Sequence, residues 1–285
     1  KYQRAFSKIV FFFHGHEVVR INECYPAPYP YMGGKSFFSR LFQSCYDTFK
    51  LFLWRRYLPK LAEKARFVFV SRNFFEKFQK YTGLNEAKLL GHTMVIHNSV
   101  GAVFERECYD RLAPKEFDFI TIRPYMDRSN YSMDIVCSLA KANPSCRFLA
   151  VGTGRFFEHY EQPENLIWHN GTLSHEDIPV YLNRSRCALI PTRTDTQGVM
   201  TCEAATFGIP TITSDLAVCH EICDTFSNVG FLDNAFPSVD LLPLLAALEQ
   251  KPFVKSDRYF KENTVRCEIE MLHALYAEDG KEKPL

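Results

Sequence analysis

The stretch CALIPTRTDTQGVMTCEAATFGIPTITSDLAVCHE, residues 187–221, constrains the fold more than any other part of the chain. Cys187 to Pro191 is an unbroken apolar run, the pattern of a strand covered on both faces. A polar loop follows, and Val199 to Phe207 reads as a short helix. Gly208 stops that helix and Pro210 opens a second apolar strand running to Thr213, Gly then Pro being a helix stop signal. Strand, loop, helix and strand in this order are half of a doubly wound parallel sheet. Ligands of such sheets sit where strands end and helices begin. Asp195 lies in the loop and Glu203 on the helix, so two carboxylates flank a helix N-terminus whose N–H groups favour an anion.

The 285 residues suffice for two domains, each with its own core. Formal charge is balanced at +1, which gives no support to a nucleic-acid surface or an acidic tail. No apolar run approaches the roughly 18–20 residues of a membrane span, and the first residues lack a signal-peptide pattern. The ten Cys contain no C-x-x-C and several sit in apolar runs (Cys137, Cys187, Cys202). Reduced, buried thiols and a cytoplasmic protein are the expectation. Cys219 and Cys223 bracket His220, but without a second pair this spacing does not make a zinc site, and no metal is expected.

In the first part, IVFFF (9–13) reads as a buried strand ending at His14, with His16 two residues on. Further strands are expected at Arg66 to Ser71 and Thr93 to His97, with a helix from Asn73 to Tyr81 closed by Gly83. Gly33-Gly34-Lys35-Ser36 has the end of a phosphate loop, but the earlier Gly is Tyr29 and no strand precedes it. Residues 36–58 read as a helix with an apolar face of Phe38, Leu41, Phe42, Cys45, Phe49, Phe52 and Trp54, bordered by basic residues. That face either packs on the core or lies in an anionic membrane interface.

In the second part, strands are expected at Phe117 to Arg123, Arg147 to Val151 and Asn165 to Trp168, before those of the opening stretch. A helix from Asn130 to Ala142 separates the first two, and Ser174 to Asp177 has the form of a capping box opening another. Gly152-Thr153-Gly154 lacks the third Gly of a dinucleotide fingerprint, which falls at Phe157. Val229 to Leu232, a helix from Ser238 to Glu249 and a final helix from Tyr259 to Ala277 complete the chain, with a polar, frayed tail at 278–285.

The central run resembles the E-x7-E signature of glycosyltransferase family 4, roughly P-S-x-x-E-G-x-G-L, a few residues, then E-A-x-x-x-G-x-P-V-I. Pro191, Gly198, Glu203, Ala204, Gly208 and Pro210 fall in register. Asp195 stands for the first Glu, Thr196 for the Gly after it, and Gln197 at a usually aromatic place. Arg123 and Arg128 resemble the Arg and Lys of the family's G-R-L-x-x-x-K-G, although Ile122 and Ser129 replace its glycines. Ile96 to Val100 resembles the P-N-G turn that ends the family's first domain, and Val151 to Gly154 its V-G-x-G loop.

The resemblance implies an α/β fold of GT-B architecture: two Rossmann-like domains with a cleft between them, the N-terminal one partial. Roughly 70–100 residues of the usual first domain are expected to be missing, by comparison with typical domain size. It implies domains at 1–113 (acceptor side) and 114–258 (donor side), with 259–285 a terminal helix crossing back to the first. It implies a retaining transfer of sugar from a nucleoside diphosphate to a hydroxyl of a glycan or lipid-linked acceptor, without metal or other cofactor. Cell-surface polysaccharide or glycolipid synthesis, at the inner face of the membrane with peripheral contact through 36–58, is the implied setting.

His14 would touch the donor sugar, with His16 the second choice; Arg123 and Arg128 would bind the diphosphate. Asp195 would touch the sugar and Glu203 the ribose. Gly171, Thr172 and Leu173 would read the base through their backbone, and Gln197, Gly198, Val199 and Met200 would line the donor. Two other readings stay open: a non-catalytic partner subunit of glycosyltransferase type, and a nucleotide-sugar epimerase or hydrolase on the same fold.

Overall fold

A computed structural model describes residues 5–34 and 36–277. The tail 278–285, read as frayed, and Lys35 of the Gly33–Ser36 loop lie outside them. By its internal contacts the chain divides into two units. Among the described residues one holds 5–24, 36–99 and 258–277, and the other 25–34 and 100–257.

In the first unit, β1 (Ile9–Phe13), β2 (Ala65–Phe69) and β3 (Thr93–Val95) pair parallel in the order β1-β2-β3. The phenylalanines that made these runs read as buried strands stack across the ladder. Phe11 faces Phe67 at 5.6 Å and Phe13 faces Phe69 at 5.0 Å between ring centroids. Between β1 and β2 runs α1 (Phe37–Leu61), capped by Ser36, whose Oγ accepts the Ser39 N–H at 3.1 Å. Helix α2 (Arg72–Thr82) starts at Ser71, whose Oγ accepts the Phe74 N–H, and ends at Gly83 in the left-handed conformation. It buries Phe74, Phe75 and Phe78.

The helix α1 does not turn its phenylalanines to the core. Asp47, Leu51 and Leu58 are its buried residues, while Phe37, Phe38, Phe42, Phe49 and Phe52 are exposed. Trp54 alone of the expected apolar face turns inward, its ring against Phe11 and Phe13 and its Nε1–H on the Glu17 carbonyl at 3.0 Å. The reason is the acid: Asp47 accepts from the Ile21 N–H and from Lys50 Nζ, each at 2.8 Å, and Lys50 also bonds the carbonyls of His16 and Val19. A satisfied buried ion pair anchors the face opposite the aromatic stripe.

The second unit opens its long segment with α3 (Ala102–Arg106), then alternates strand and helix: β4 (Phe117–Tyr125), α4 (Met133–Ala142), β5 (Phe148–Thr153) and β6 (Leu166–His169). Next come α5 (Ile178–Asn183), β7 (Ser185–Ile190), α6 (Val199–Phe207), β8 (Thr211–Ser214), α7 (Ala217–Cys223), β9 (Val229–Leu232) and α8 (Leu242–Glu249). Among the described residues the sheet has six parallel strands in the order β6-β5-β4-β7-β8-β9. The chain therefore builds outward from β4 to one edge, returns, and builds outward from β7 to the other. The strand order reverses between β4 and β7, and the crevice at their carboxyl ends is where such a sheet takes ligands.

The unit boundary at 99/100, where 113/114 was expected, follows from contacts. Val103 and Phe104 are buried, Phe104 edge-on to Phe207 of α6, and Tyr109 N–H bonds the Phe207 carbonyl. Residues 25–34 also belong to the second unit. Tyr29 and Tyr31 pack on Phe156 and Tyr160 and donate hydrogen bonds to Asp134 (2.8 Å) and Asp127 (2.7 Å). The last helix, α9 (Val265–Ala277), groups with the first unit, where Met271 meets Val68 and Ile96. It is shorter than the expected 259–277, because residues 259–264 form turns that bury Tyr259.

Candidate functional site

Arg123 lies on β4 at the point of reversal. Its Nη2 donates to the carbonyl of Pro191, just past β7, at 2.7 Å, so the guanidinium bridges the two strands between which the order reverses. It is 5% exposed, its plane faces the Tyr131 ring at 5.0 Å, and its Nε has no hydrogen-bond partner among the described residues. Burial pulls this guanidinium below its ordinary pKa, with the charge of Asp195 working the other way. Removing an arginine from water is expensive, and one carbonyl and one remote carboxylate compensate it only in part.

Backbone geometry holds Arg123 there. Gly152 of β5 sits at φ 155°, and a Cβ on it would lie 1.9 Å from the Arg123 carbonyl oxygen. Only glycine lets β5 approach this closely, so the V-G-x-G loop is a spacing device for β4.

The loop of the opening stretch is wound around Asp195. Its Oδ1 accepts the N–H groups of Thr196 (2.8 Å), Gln197 (3.2 Å) and Gly198 (2.8 Å). Gly198, at φ 68°, turns the chain into α6. The carboxylate thus takes the amides leading into the helix, and the amides of Val199 and Met200 in the first turn remain those without an intrahelical acceptor. Gln197 is buried, and Val199 is exposed at the mouth of the turn. Asp195, placed by resemblance on the sugar, here shapes the loop with one oxygen.

Glu203, one turn into α6, is buried. Its Oε1 accepts the Gly101 N–H at 3.2 Å, at the start of α3. Burial raises its pKa, against the Gly101 bond and the nearby His175. Arg128 is exposed and lies over the Tyr125 ring at 5.2 Å. Neither Arg123 nor Arg128 pairs with the neighbouring acids. Asp127 accepts from Tyr31 and from the Arg155 N–H, and Asp134 is taken by a residue the sequence reading passed over. That residue is Arg193, which forms a two-pronged pair with Asp134 at 2.8 and 2.6 Å and donates to the Ser129 carbonyl. Burial works against the Asp134 carboxylate, but the Arg193 and Tyr29 bonds outweigh it and hold it below the usual range.

A second group found only in the structure is the hydroxyl and amide chain at the ends of β7 and β8. Thr192 N–H bonds Ser214 Oγ, which bonds Asn234 Oδ1, while Asn234 Nδ2 returns to the Thr192 carbonyl. Arg193 followed a strand among polar residues and gave no pattern beyond a lone charge; the Thr-Ser-Asn chain joins residues up to 42 positions apart.

Gly171, Thr172 and Leu173 follow β6 in a partly exposed loop, with His169 beside Gly171. Asp177 and Ser174 exchange hydrogen bonds ahead of α5, as a capping box does. His14, just past β1, is exposed; with His16 it belongs to the other unit. Burial pushes the Cys219 thiol up to about 11, and Cys223 is buried as well. Among the described residues no three His, Cys, Asp or Glu gather as metal ligands.

The site lies within a segment of known type. Residues 121–235 match the family model described as "Glycosyl transferases group 1". No curated protein matches the chain by sequence. Among solved structures, a sucrose-phosphate synthase from Thermosynechococcus elongatus is 13% identical with a TM-score of 0.65, covering 94% of this chain and 68% of its own. WaaG, a glycosyltransferase involved in lipopolysaccharide biosynthesis, is 14% identical with a TM-score of 0.57, covering 85% and 66%. Anabaena Alr3699/HepE, solved in complex with UDP and glucose, is 12% identical with a TM-score of 0.57, covering 80% and 67%. The chain thus spans about two thirds of these structures' length, and its parallel α/β fold matches that of GT-B glycosyltransferases.

Proposed function

We propose that this chain is a glycosyltransferase that takes a sugar from a nucleoside diphosphate and passes it to a hydroxyl of a glycan or lipid-linked acceptor, with retention at the anomeric carbon. The observation that carries the reading is Arg123, a buried guanidinium at the strand-order reversal that feels the charge of Asp195, whose loop leads into α6. The step to be catalysed breaks the anomeric C–O bond while negative charge grows on the departing diphosphate. Fixed cations and helix amides aimed at that charge lower the barrier by several kcal/mol in all, since they need no reorganisation. Arg123, the amides of Val199 and Met200 and the exposed Arg128 supply such groups. Glu203, in the second turn of the same helix, is the candidate for the ribose hydroxyls, and the 171–173 loop for the base.

The binding half is tested by thermal shift with UDP, GDP and ADP. At least one should stabilise the chain, by about 2.7 kcal/mol at a hundredfold excess over Kd. Arg123→Gln should abolish the shift. If none of the three nucleotides stabilises the wild-type chain, the donor-site reading is wrong. If a nucleotide binds but its sugar conjugates are neither transferred nor hydrolysed, the transferase reading gives way to that of a donor-binding partner subunit.

A further inference from the structure

Of the two arginines proposed to meet the diphosphate, Arg123 is fixed within the sheet, whereas Arg128 stands on the loop between β4 and α4. That loop carries a strained residue. Ser132, at φ 57° and ψ 40°, occupies the left-handed region that favours glycine, and its side chain does not cap α4. A strained turn persists only where its surroundings hold it.

Two sides hold this one. On the first, Arg193 donates through Nη1 to the Ser129 carbonyl at 2.9 Å and through its amide to the Asn130 carbonyl at 3.0 Å. On the second is segment 25–34, stiffened by Pro26, Pro28 and Pro30. Tyr29 donates its hydroxyl to Asp134 Oδ1 and accepts the Asp134 N–H at 3.4 Å, so it serves the first turn of α4 that Ser132 leaves open. Tyr31, stacked on His159 at 4.2 Å between ring centroids, donates to Asp127 Oδ1 at 2.7 Å.

Asp127 is an inner residue of the turn that presents Arg128. The Arg128 N–H reaches back to the Tyr125 carbonyl at 3.4 Å, a long closure, while its guanidinium lies over the Tyr125 ring. Asp127 supplies the firmer anchor. Its two oxygens accept the Arg155 N–H at 2.9 and 3.1 Å, and a Cβ on Gly154 would come 2.9 Å from Oδ1. Burial first, and then the bond to Asp127, raise the pKa of the Tyr31 hydroxyl, which keeps its proton and stays a donor.

We propose that Tyr31 is a positioning residue of the transfer: through Asp127 it holds the Tyr125–Arg128 turn, and so sets Arg128 in place for the diphosphate of the donor. This rests on the donor-site reading above and adds to it a residue that touches no substrate. The physical reason is preorganisation. An arginine recruited from a loose turn gives back part of what it contributes as charge builds on the leaving group.

The test is a double-mutant cycle on the whole chain, read by calorimetric titration of UDP, GDP and ADP at several salt concentrations. Tyr31→Phe keeps the ring on His159 and loses only the hydroxyl. It should weaken the nucleotide that binds by about tenfold, and by less than about twofold once Arg128→Gln is present. Its affinity should also fall less steeply with salt, as in Arg128→Gln, because one phosphate contact is lost. Asp127→Ala should copy the loss, and Asp127→Asn, which keeps an oxygen for the hydroxyl, should restore most of it. Should Asp127→Ala unfold, Tyr31→Phe and Arg128→Gln complete the cycle without it. The proposal is overturned if a nucleotide binds and Tyr31→Phe holds it as wild type does. It is equally overturned if the Tyr31 and Arg128 effects multiply as independent factors, or if Tyr31→Phe keeps the wild-type salt dependence; a merely structural loss would do both. If none of the three nucleotides binds the wild-type chain, the donor-site reading fails first and this proposal falls with it.

Discussion

Glu203 is a residue held in place against its own charge. Burial raises its pKa, and neither the Gly101 N–H nor His175 cancels that effect. A carboxyl whose folded-state pKa lies above its unfolded value contributes stability below the ordinary glutamate range and loses it as pH rises through the raised value. Glu203→Gln keeps the shape and an oxygen for Gly101 but drops the charge. The wild-type chain should therefore lose stability relative to this variant between weakly acid and neutral pH, and the variant should be the more stable at neutrality. Urea denaturation of both proteins across that range reads the difference; a parallel pH dependence would mean that the anion is well solvated in the fold. Asp195 is the opposite case. Its oxygen closes a turn with three amides, which the shorter side chain does through an Asx-type geometry that a glutamate would overshoot. The departure from the family pattern is thus also a local structural fit.

At the scale of elements, the spacing of β4 and β5 decides where Arg123 stands. Gly152→Ala would push a methyl group to within 1.9 Å of the Arg123 carbonyl, and backbone cannot yield as a flexible side chain does. The variant should lose about 3 kcal/mol, typical of a forced overpacking, and lose nucleotide affinity with it. Gly34→Ala is the control, since a Cβ there meets nothing within 4 Å and should stay within about 0.5 kcal/mol of wild type. Denaturant midpoints of the two variants make the comparison.

The same elements show what could be read in advance. Helix α6 occupies Val199–Phe207 as expected, because Gly198 and Gly208 both sit at positive φ and only glycine marks such turns openly. Strand β1 likewise spans 9–13, but the burial expected of that apolar run holds only for Phe13, because β1 is an edge strand of its sheet among the described residues. Helix α1 was legible as a helix but not in its rotation. Periodicity locates two stripes on opposite sides, and the choice between them rested on Asp47 finding Lys50 and the Ile21 N–H. The Arg193–Asp134 pair, the Thr192–Ser214–Asn234 chain and the Tyr29–Asp134 contact were illegible for a common reason. Each joins distant residues whose types are ordinary on any surface, so only the fold selects them.

In the second unit taken whole, the six-stranded sheet has two ends with different work. Its carboxyl end carries Arg123, the Asp195 loop and the start of α6. Its other end carries three cations that are all spoken for. Arg111 donates to the carbonyls of Glu249 and Lys251 at the close of α8, and Lys115 to that of Asn183 at the close of α5, where a helix dipole favours positive charge. Arg186 holds Glu249 with two bonds of 2.9 Å and Asp118 with a third. These side chains and Tyr109 surround a cavity of about 360 Å³. It looks basic by composition, yet each cation already has its acceptor. The two ends should therefore answer oppositely to loss of an arginine. Arg186→Ala should lose about 1–2 kcal/mol of stability, since it strips partly exposed charged hydrogen bonds, and leave nucleotide affinity unchanged. Arg123→Gln should lose affinity while stability stays level or rises, because the group removed is a poorly compensated buried charge. Titrating one nucleotide into each variant, beside its urea midpoint, sets the two effects on separate axes. A wild-type affinity in Arg123→Gln, or a lost one in Arg186→Ala, would place the anion site at the wrong end of the sheet.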